Sequence, residues 1–310
     1  MLLFKKQKND LIPIKELKID LERDLQTLTE QHLKDIFDLK FISSEFALHN
    51  FRIDTLAFDT ESNAFAIIEY KRDRSFSIID QGYSYLGLLL NNKADFILEY
   101  NEKTGSNLIR SKIDWSQSKV IFVANSYTTY QTNAINFQNL PIELWEARKY
   151  NDDIISYNQI KSSDTSESIN VISKNTEIDK IAREVRTYSI DDHFPKGWEK
   201  GRDIFETLRV GVLLLDNRLE ESPQKNYIGY KLNSKNIIEL VARKNKIIVN
   251  LLRAQPKDVI DPEKKVYYQK NSFKNYHKHI TEYEVNNSQD VIYAMSLIRQ
   301  VYERYTYNKQ

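Results

Sequence analysis

The most informative absence in this chain is cysteine, of which its 310 residues contain none. Disulfide bonds, thiolate metal sites and cysteine nucleophiles are therefore excluded. Only seven glycines occur, and they form neither a Walker-type phosphate loop nor a G-x-G-x-x-G turn, which argues against a nucleotide-driven motor. No run approaches the ~20 apolar residues of a membrane span, and the first ten residues lack the apolar core of a secretory signal. We expect a soluble, cytoplasmic protein.

A strong excess of one charge is also missing, since the formal net charge is only +1. The charge is nevertheless divided unevenly along the chain. Residues 1–180 hold 22 basic and 27 acidic residues, whereas residues 181–310 hold 23 basic and 17 acidic residues. The C-terminal part is therefore the better candidate for an anionic partner. The alternative is that so modest a basic excess is an ordinary solvated surface.

The length is enough for two domains, each with a core of its own. Residues 158–177 are rich in Ser, Asp and Asn and poor in large apolar side chains, which is typical of a polar linker. Before it, strands alternate with helices over residues 1–157, which predicts an α/β domain with a mixed sheet covered on both faces. After it, residues 178–310 predict a smaller α+β domain, which we expect to serve recognition or partner binding.

The apolar periodicity predicts the individual elements of both parts. In the first part we expect an edge strand at 11–14, one helix over 20–37 capped by Asp20, a strand at 41–46, and strands at 95–100, 119–124 and 142–150. In the second part we expect a helix over 199–218, strands at 227–232, 236–243 and 246–252, and a terminal helix over 288–305.

Residues 51–90 carry the chemistry of the chain. Residues 52–58 alternate as a strand does, residues 60–63 are turn-forming, and residues 64–71 are a nearly continuous apolar run that ends in charge. This pattern predicts a hairpin whose second strand is buried in the middle of a sheet. A helix over 76–91 is expected to follow it.

The spacing within this hairpin places acidic and basic groups together. Successive strand residues face opposite sides, so Glu69 and Lys71 share a face while Tyr70 points to the other one. Asp54, on the neighbouring strand, can reach the face of Glu69. Two carboxylates that converge at the end of a sheet suit Mg²⁺ or Mn²⁺, and the Tyr70 backbone carbonyl is a further candidate ligand. Lys71 is placed to orient or deprotonate an attacking water and to stabilise a phosphorane. The pattern indicates metal-assisted phosphodiester hydrolysis.

Three pieces of this stretch together resemble the PD-(D/E)XK nuclease superfamily, and most of all its RecB-like and NucS-like branch. They are Arg52-Ile53-Asp54, Ile68-Glu69-Tyr70-Lys71, and Gln81 with Tyr85 four residues later. The resemblance implies a restriction-endonuclease-like core in which Asp54 and Glu69 bind the metal, Lys71 is the catalytic lysine, and Gln81 and Tyr85 face the site from one side of a helix.

The resemblance also implies an upstream acidic residue, for which Glu22 is the candidate, with an ordinary helix-dipole role as its alternative. Glu45 is a second, weaker acidic candidate. Related sequences commonly carry a glycine before the R-I-D piece where this chain has Phe51, a departure at the turn into that strand that removes no ligand. The second part of the chain resembles an uncharacterised domain often found after such modules in bacterial proteins.

The implied function is a Mg²⁺-dependent DNA endonuclease, with restriction or phage defence as its setting and a homodimer as one way to break both strands. We expect phosphate contacts from Arg52, Arg72 and Arg74, and from Lys225 and Lys231 in the basic and aromatic stretch 225–231. Two alternatives stay open. The acidic cluster is a solvated sheet edge, or the chain is a non-catalytic nucleic-acid or protein-binding module on the same fold.

Overall fold

The structure is a computed structural model, and it describes residues 2–19, 22–71, 77–135, 140–161, 181, 185, 188–232, 235–276 and 278–307. The chain divides into two compact units, residues 1–187 and residues 188–310. Within the described ranges, no helix is both long and apolar enough to cross a membrane.

Unit 1 is a mixed sheet with helices on both faces. Its elements in chain order are β1 (Leu3–Gln7), β2 (Asp10–Ile14), β3 (Glu16–Leu17), α1 (Glu22–Gln31), α2 (Leu33–Ile36), β4 (Lys40–Leu48), β5 (Phe51–Asp59), β6 (Ala64–Lys71), α3 (Ile78–Asn91), α4 (Lys93–Thr104), β7 (Lys119–Ala124), α5 (Thr129–Ala134), β8 (Ile142–Tyr150) and β9 (Ile155–Ile160). The main sheet runs in the order β3-β8-β7-β6-β5-β4, and β9 pairs with β8. Its pairs are parallel between β6, β7 and β8 and antiparallel elsewhere.

The strand β6 lies in the middle of this sheet and is buried along almost all of its length. Its side chains alternate between two cores, as the pleat of a strand requires. Ile67 packs with Leu86 and Leu89 of α3 on one face. Ile68 packs with Leu25 of α1 on the other. The continuous apolar run in the sequence therefore reflects burial on both faces.

Two predicted elements of unit 1 are wrong in kind or extent. Residues 95–100 lie in α4 instead of a strand, because Phe96 and Tyr100 are spaced one helical turn apart and both point into the core. The predicted helix over 20–37 is two helices, α1 and α2, separated at His32. Asp20, the predicted cap, lies outside the described residues.

The predicted linker at 158–177 begins inside a strand, since β9 extends to Ile160 and pairs with β8 as far as Leu144. Residues 162–180 lie outside the described ranges. Beyond them, Ile181 and Val185 pack in the core beneath α3, and the two units divide after Thr187. The first unit is therefore longer than the predicted domain, because segments on both sides of the polar stretch pack against it.

Unit 2 is an antiparallel sheet with its two long helices on one face. Its elements in chain order are α6 (Glu199–Leu213), β10 (Glu220–Pro223), β11 (Ile228–Leu232), β12 (Lys235–Arg243), β13 (Lys246–Leu252), β14 (Tyr267–Tyr268), α7 (Ser272–Tyr276), β15 (Ile280–Val285) and α8 (Ser288–Tyr307). The sheet order is β10-β11-β12-β13-β15-β14. Leu208 of α6 and Leu297 of α8 share one core with Leu240 of β12.

Candidate active site

The site is built where two neighbouring strands part. The strands β5 and β6 pair from Asp59↔Ala64 to Thr55↔Ile68. Beyond that point β5 continues beside β4 to its end, while β6 continues beside β7 to Lys71↔Ala124. Asp54 and Glu69 are the first residues past the last shared pair. Where the strands part, the backbone N–H groups of Asp54 and Tyr70 therefore need partners other than the β5–β6 ladder.

The two carboxylates supply those partners. The Asp54 N–H donates to Glu69 Oε1 at 3.2 Å, and the Tyr70 N–H donates to Asp54 Oδ2 at 2.9 Å. The carboxyl groups of Asp54 and Glu69 also lie close enough to influence each other's ionisation. Because two buried negative charges repel, double ionisation of the pair is disfavoured unless a cation lies beside it.

The pKa values of the pair reflect this crowding. Burial, followed by the charge of Asp54, raises the pKa of Glu69 to about 7. Burial also raises the pKa of Asp54, and the nearby charge of Glu45 adds to the rise. Near neutral pH the pair therefore tends to bind one positive charge, which is either a proton or a metal cation between the carboxylates.

Lys71 and Tyr85 both contact Glu69. The Lys71 Nζ lies 3.4 Å from Glu69 Oε2. The Tyr85 hydroxyl is hydrogen-bonded to the same carboxylate, and burial raises the pKa of Tyr85, so that the hydroxyl stays a donor at neutral pH. The ring of Phe51 meets the ring of Tyr85 edge-on, with centroids 6.3 Å apart. Phe51, which stands where related sequences commonly have a glycine, therefore packs against Tyr85 of the site.

Gln81 lies one turn before Tyr85 on α3 and therefore on the same helix face. Its Oε1 is buried and has no hydrogen-bond partner in the described part of the chain. A buried amide oxygen without a partner is costly. This oxygen is therefore suited to coordinate or accept from a group bound beside Glu69.

Gln26 is a contributor that the sequence did not reveal. From α1, on the opposite face of the sheet, its Nε2 donates to the Asp54 carbonyl oxygen at 2.9 Å and to Ser44 Oγ at 3.1 Å. These bonds hold the backbone of Asp54 between β4 and α1. A glutamine beside an apolar helical stripe is too common a pattern to have marked it.

Neither further acidic candidate completes a cluster of three. Glu22 is exposed at the start of α1. Glu45 lies opposite Asp54, between the pairs Ser44↔Thr55 and Phe46↔Ile53, and forms an ion pair with Arg52. Among the described residues no group of three or more His, Cys, Asp or Glu side chains is arranged to hold a metal. Mg²⁺ is commonly bound by one or two carboxylates with water and substrate phosphate, so Asp54, Glu69 and the Gln81 oxygen fit such an ion.

The residues predicted to contact nucleic acid are scattered. Arg52 is on β5 and paired with Glu45, whereas Arg72 and Arg74 lie outside the described residues. Lys225 is exposed in the turn before β11, and Lys231 lies opposite the acidic Glu220.

The basic and aromatic stretch 225–231 does not present its second tyrosine to solvent, so that ring cannot stack on a base. Tyr230 is fully buried in the core of unit 2, and its hydroxyl donates to Glu221 Oε2 at 3.0 Å. The alternation of basic and aromatic residues there is the ordinary inside–outside pattern of a half-buried strand.

Comparison with known proteins gives likenesses of very different strength. No family model matches the chain. Among solved structures, a repair endonuclease from Pyrococcus abyssi aligns with 43% of this chain and 49% of its own, at 17% identity and a TM-score of 0.25. An EndoMS–double-stranded DNA complex aligns with 47% of this chain and 64% of its own, at 14% identity and a TM-score of 0.24. The chain thus spans less than two thirds of either neighbour, and TM-scores this low carry no argument.

One curated relative is similar over nearly the full length. It is an uncharacterised protein of Haemophilus influenzae strain Rd, 41% identical over 305 residues, which are 97% of this chain and 99% of the relative. Identity at this level over both units means that the two chains share their domain organisation. The chain belongs to the same family as this Haemophilus influenzae protein.

Proposed function

We propose that the chain is a metal-dependent endonuclease of the PD-(D/E)XK type, which hydrolyses DNA phosphodiester bonds with Mg²⁺, or with Mn²⁺ in its place. The observation that carries the proposal is the adjacent carboxylate pair Asp54 and Glu69. The pair lies where β5 and β6 part, with raised pKa values and with the Lys71 ammonium at 3.4 Å. A scaffold that only bound DNA would gain nothing from two carboxylates facing a phosphate backbone unless a cation neutralised them.

Each residue of the site has its own role in this reaction. Asp54 and Glu69 hold the cation, with the Gln81 amide oxygen and the Tyr70 carbonyl as neutral ligands. A bound divalent ion would supply Lewis-acid stabilisation of the phosphate and a more acidic water. Lys71 orients or deprotonates the attacking water and stabilises the negative charge that develops on phosphorus. Tyr85 fixes the Glu69 carboxylate through its hydroxyl.

The surrounding basic residues would bind the DNA backbone. Arg52, Arg72 and Arg74 flank the carboxylate pair in sequence, and we assign them phosphate contacts. Lys225 and Lys231 are assigned weaker phosphate contacts in unit 2. A restriction or phage-defence setting and a homodimer that cuts both strands belong to the same proposal, as does Glu22 as an accessory acid.

The test is cleavage of a panel of plasmid DNA, modified phage DNA, single-stranded DNA and RNA, with Mg²⁺ or Mn²⁺ and with a chelator. Wild type is compared with Asp54→Ala and Lys71→Ala. The matched control is Lys119→Ala, because Lys119 is about as exposed as Lys71 and pairs with Glu143 at 2.7 Å. Lys119 lies at the opposite end of the parallel strands, where β7 begins.

Metal-dependent cleavage that both site substitutions abolish and Lys119→Ala retains would establish the enzyme and its substrate. Cleavage that survives Asp54→Ala and Lys71→Ala would refute the residue assignments. The rival function is a non-catalytic nucleic-acid or protein-binding module, favoured by the absence of a third acidic ligand among the described residues. Mn²⁺ binding by calorimetry without cleavage of any substrate would select this rival.

A further inference from the structure

Unit 2 presents a group of aromatic side chains to solvent between β14 and β15. Tyr268 is 37% exposed, Phe273 is 54% exposed and Tyr276 is 39% exposed. Single exposed aromatic residues are common on protein surfaces, but several on one short segment indicate an interaction site. We call Tyr268, Phe273, Tyr276 and the adjoining His279 the aromatic platform.

The rings of the aromatic platform are arranged in layers. The Phe273 ring stacks on the His279 ring, with centroids 4.9 Å apart and planes inclined by 24°. The Tyr268 ring contacts His279 from a tilted position at 5.8 Å. Phe273 is covered by His279 on one side and is still more than half exposed, so a planar group can extend the stack on its open side.

His279 is held in place by both of its ring nitrogens. The Gln255 amide nitrogen lies 3.1 Å from Nε2, and the Tyr268 hydroxyl lies 2.9 Å from Nδ1. Because an amide nitrogen can only donate, Nε2 accepts, and Nδ1 therefore carries the hydrogen that it donates to Tyr268. With both nitrogens engaged, His279 serves as a fixed stacking surface rather than as a metal ligand.

The backbone beneath the aromatic platform is anchored to the sheet. The buried Ser272 accepts from the Ile280 N–H at 3.3 Å through its Oγ, and the Gln269 N–H donates to the Ile280 carbonyl oxygen at 3.0 Å. Lys278, next to His279, reaches down to Glu239 at 3.2 Å. The platform is therefore ordered before any ligand binds, which lowers the entropic cost of binding.

The charge around the aromatic platform is positive. Residues 264–279 contain five lysines and no acidic residue. Of these, Lys270 and Lys274 are exposed, adjoin the ring-bearing residues in sequence, and have no ion-pair partner in the described part of the chain. The neighbouring Tyr267 is not part of this positive surface, because its hydroxyl donates to the acidic Glu284 at 3.4 Å. Open aromatic faces flanked by unpaired lysines complement unstacked bases on a phosphate backbone.

We propose that the aromatic platform binds single-stranded nucleic acid, with a base stacked on Phe273 and phosphates beside Lys270 and Lys274. Stacking of this kind is tolerant of sequence, because every base has a π-face. The proposal adds a second nucleic-acid surface in unit 2 to the weaker phosphate contacts assigned to Lys225 and Lys231. It does not depend on the nuclease proposal, since binding requires neither a metal nor cleavage.

The test is fluorescence anisotropy of the full chain with labelled oligothymidylate and oligouridylate of about 20 nucleotides, in a chelator so that no metal-dependent cleavage occurs. Phe273→Ala should weaken binding about 5- to 100-fold, whereas Phe273→Trp should retain it and show quenching of the new indole. Lys270→Ala with Lys274→Ala should reduce the slope of log Kd against log salt by about 1.4. The control is Tyr130→Ala, which removes an aromatic ring that is 81% exposed in unit 1.

Loss in Phe273→Ala and retention in Phe273→Trp would support the proposal, and the oligothymidylate and oligouridylate arms would show whether DNA, RNA or both are bound. The proposal is overturned if wild type binds neither strand in chelator, or if Phe273→Ala binds as wild type does. Equal loss in Tyr130→Ala, or preference for a duplex of the same length, also overturns it. Capture of a protein partner that Phe273→Ala abolishes, without strand binding, would assign the surface to protein recognition instead.

Discussion

Each unit of this protein buries a glutamate that is hydrogen-bonded by a lysine, and the two pairs differ in their third member. In unit 1, Glu69 lies 3.4 Å from Lys71 and beside the second carboxylate, Asp54. In unit 2, Glu239 lies 3.2 Å from Lys278, and its other oxygen accepts from the Asn250 amide at 3.1 Å. Both glutamates are almost fully buried, at 2% and 4% exposure.

The third member decides what each pair can do. An amide beside a one-to-one ion pair donates a hydrogen bond and leaves the charge balanced, so both carboxylate oxygens of Glu239 have partners within the protein. A carboxylate in the same place leaves one negative charge in excess, which adds to the effect of burial in raising the pKa of Glu69 to about 7 and favours uptake of a cation. The comparison teaches that a buried Glu–Lys pair is structural or reactive according to its neighbour.

The largest expected difference follows from removing each lysine. Lys278→Met leaves Glu239 buried without its charge partner, which should destabilise unit 2 by about 3–5 kcal/mol. Lys71→Met should destabilise unit 1 less, because Asp54 and Glu69 can share a proton or bind a cation, but it should reduce cleavage by about 10²–10⁴-fold. Hydrogen exchange of β12 and β13, compared with β5 and β6, measures the two stabilities separately.

The same pair of variants can break the comparison. If Lys71→Met and Lys278→Met destabilise their units equally, the second carboxylate does not relieve the loss of the lysine. If Lys278→Met abolishes cleavage while β12 and β13 keep their protection, the Glu239 cluster is not merely structural. Glu239→Gln serves as the companion variant, since it removes the charge and keeps the shape of the side chain.

The second prediction concerns pH in the metal-free protein. The pKa of Glu69 is raised from 4.5 to about 7. Its contribution to stability is therefore fully present below pH 4.5 and is lost as the pH rises through 7, by about 3 kcal/mol in total. In a chelator, the stability of wild type relative to Glu69→Gln should fall between pH 5 and pH 8. Denaturant unfolding at a series of pH values checks this, and Mg²⁺ should reduce the fall.

A flat pH dependence in the chelator would mean that the carboxylates do not share a proton in solution. A fall of the same size in the stability of wild type relative to Glu239→Gln would also contradict the comparison, because that cluster contains no second carboxylate.

Much of unit 1 could be read from the sequence because its signals are local. The bounds of β6, β7 and β8 match the predicted ones. The strands β6 and β7 are nearly continuous apolar runs that meet polar residues, and β8 mixes apolar and charged residues as a half-buried strand does. The proximity of Asp54 and Glu69 follows from strand alternation and a short turn. The strand predicted at 95–100 is wrong, because an apolar run with Phe96 and Tyr100 facing inward fits a strand or a helix equally well.

The remaining features depend on contacts between elements that are distant in the chain. Gln26 reaches Asp54 from a helix 28 residues earlier, and Lys278 reaches Glu239 across 39 residues. Nothing in the local pattern of either residue indicates its partner. The aromatic platform was equally hidden, because exposure cannot be read from a run of tyrosines and lysines that also suits a buried strand edge.

The third prediction compares how a helix approaches each sheet. A Cβ at Gly82 of α3 would overlap the end of the Ile142 side chain, which can rotate away, whereas a Cβ at Gly201 of α6 would overlap the Arg243 carbonyl oxygen, which cannot. Gly201→Ala should therefore destabilise by about 1–3 kcal/mol, despite the better helix propensity of alanine. Gly82→Ala should destabilise the protein by less than Gly201→Ala. Unfolding midpoints in urea measure both, and the reverse order would contradict the packing argument.

The smallest expected effect comes from one hydroxyl in each unit. Tyr85→Phe removes a donor to Glu69, which should raise the pKa of Glu69 further and cost about 1 kcal/mol of hydrogen bonding. Cleavage should fall by less than about tenfold, and its pH profile should shift to higher pH. Tyr230→Phe removes the donor to Glu221, which keeps Arg209 at 2.9 Å, so it should lower stability slightly and leave the pH profile unchanged. A shift in the Tyr230→Phe profile, or none in Tyr85→Phe, would show that the hydroxyl of Tyr85 does not act through Glu69.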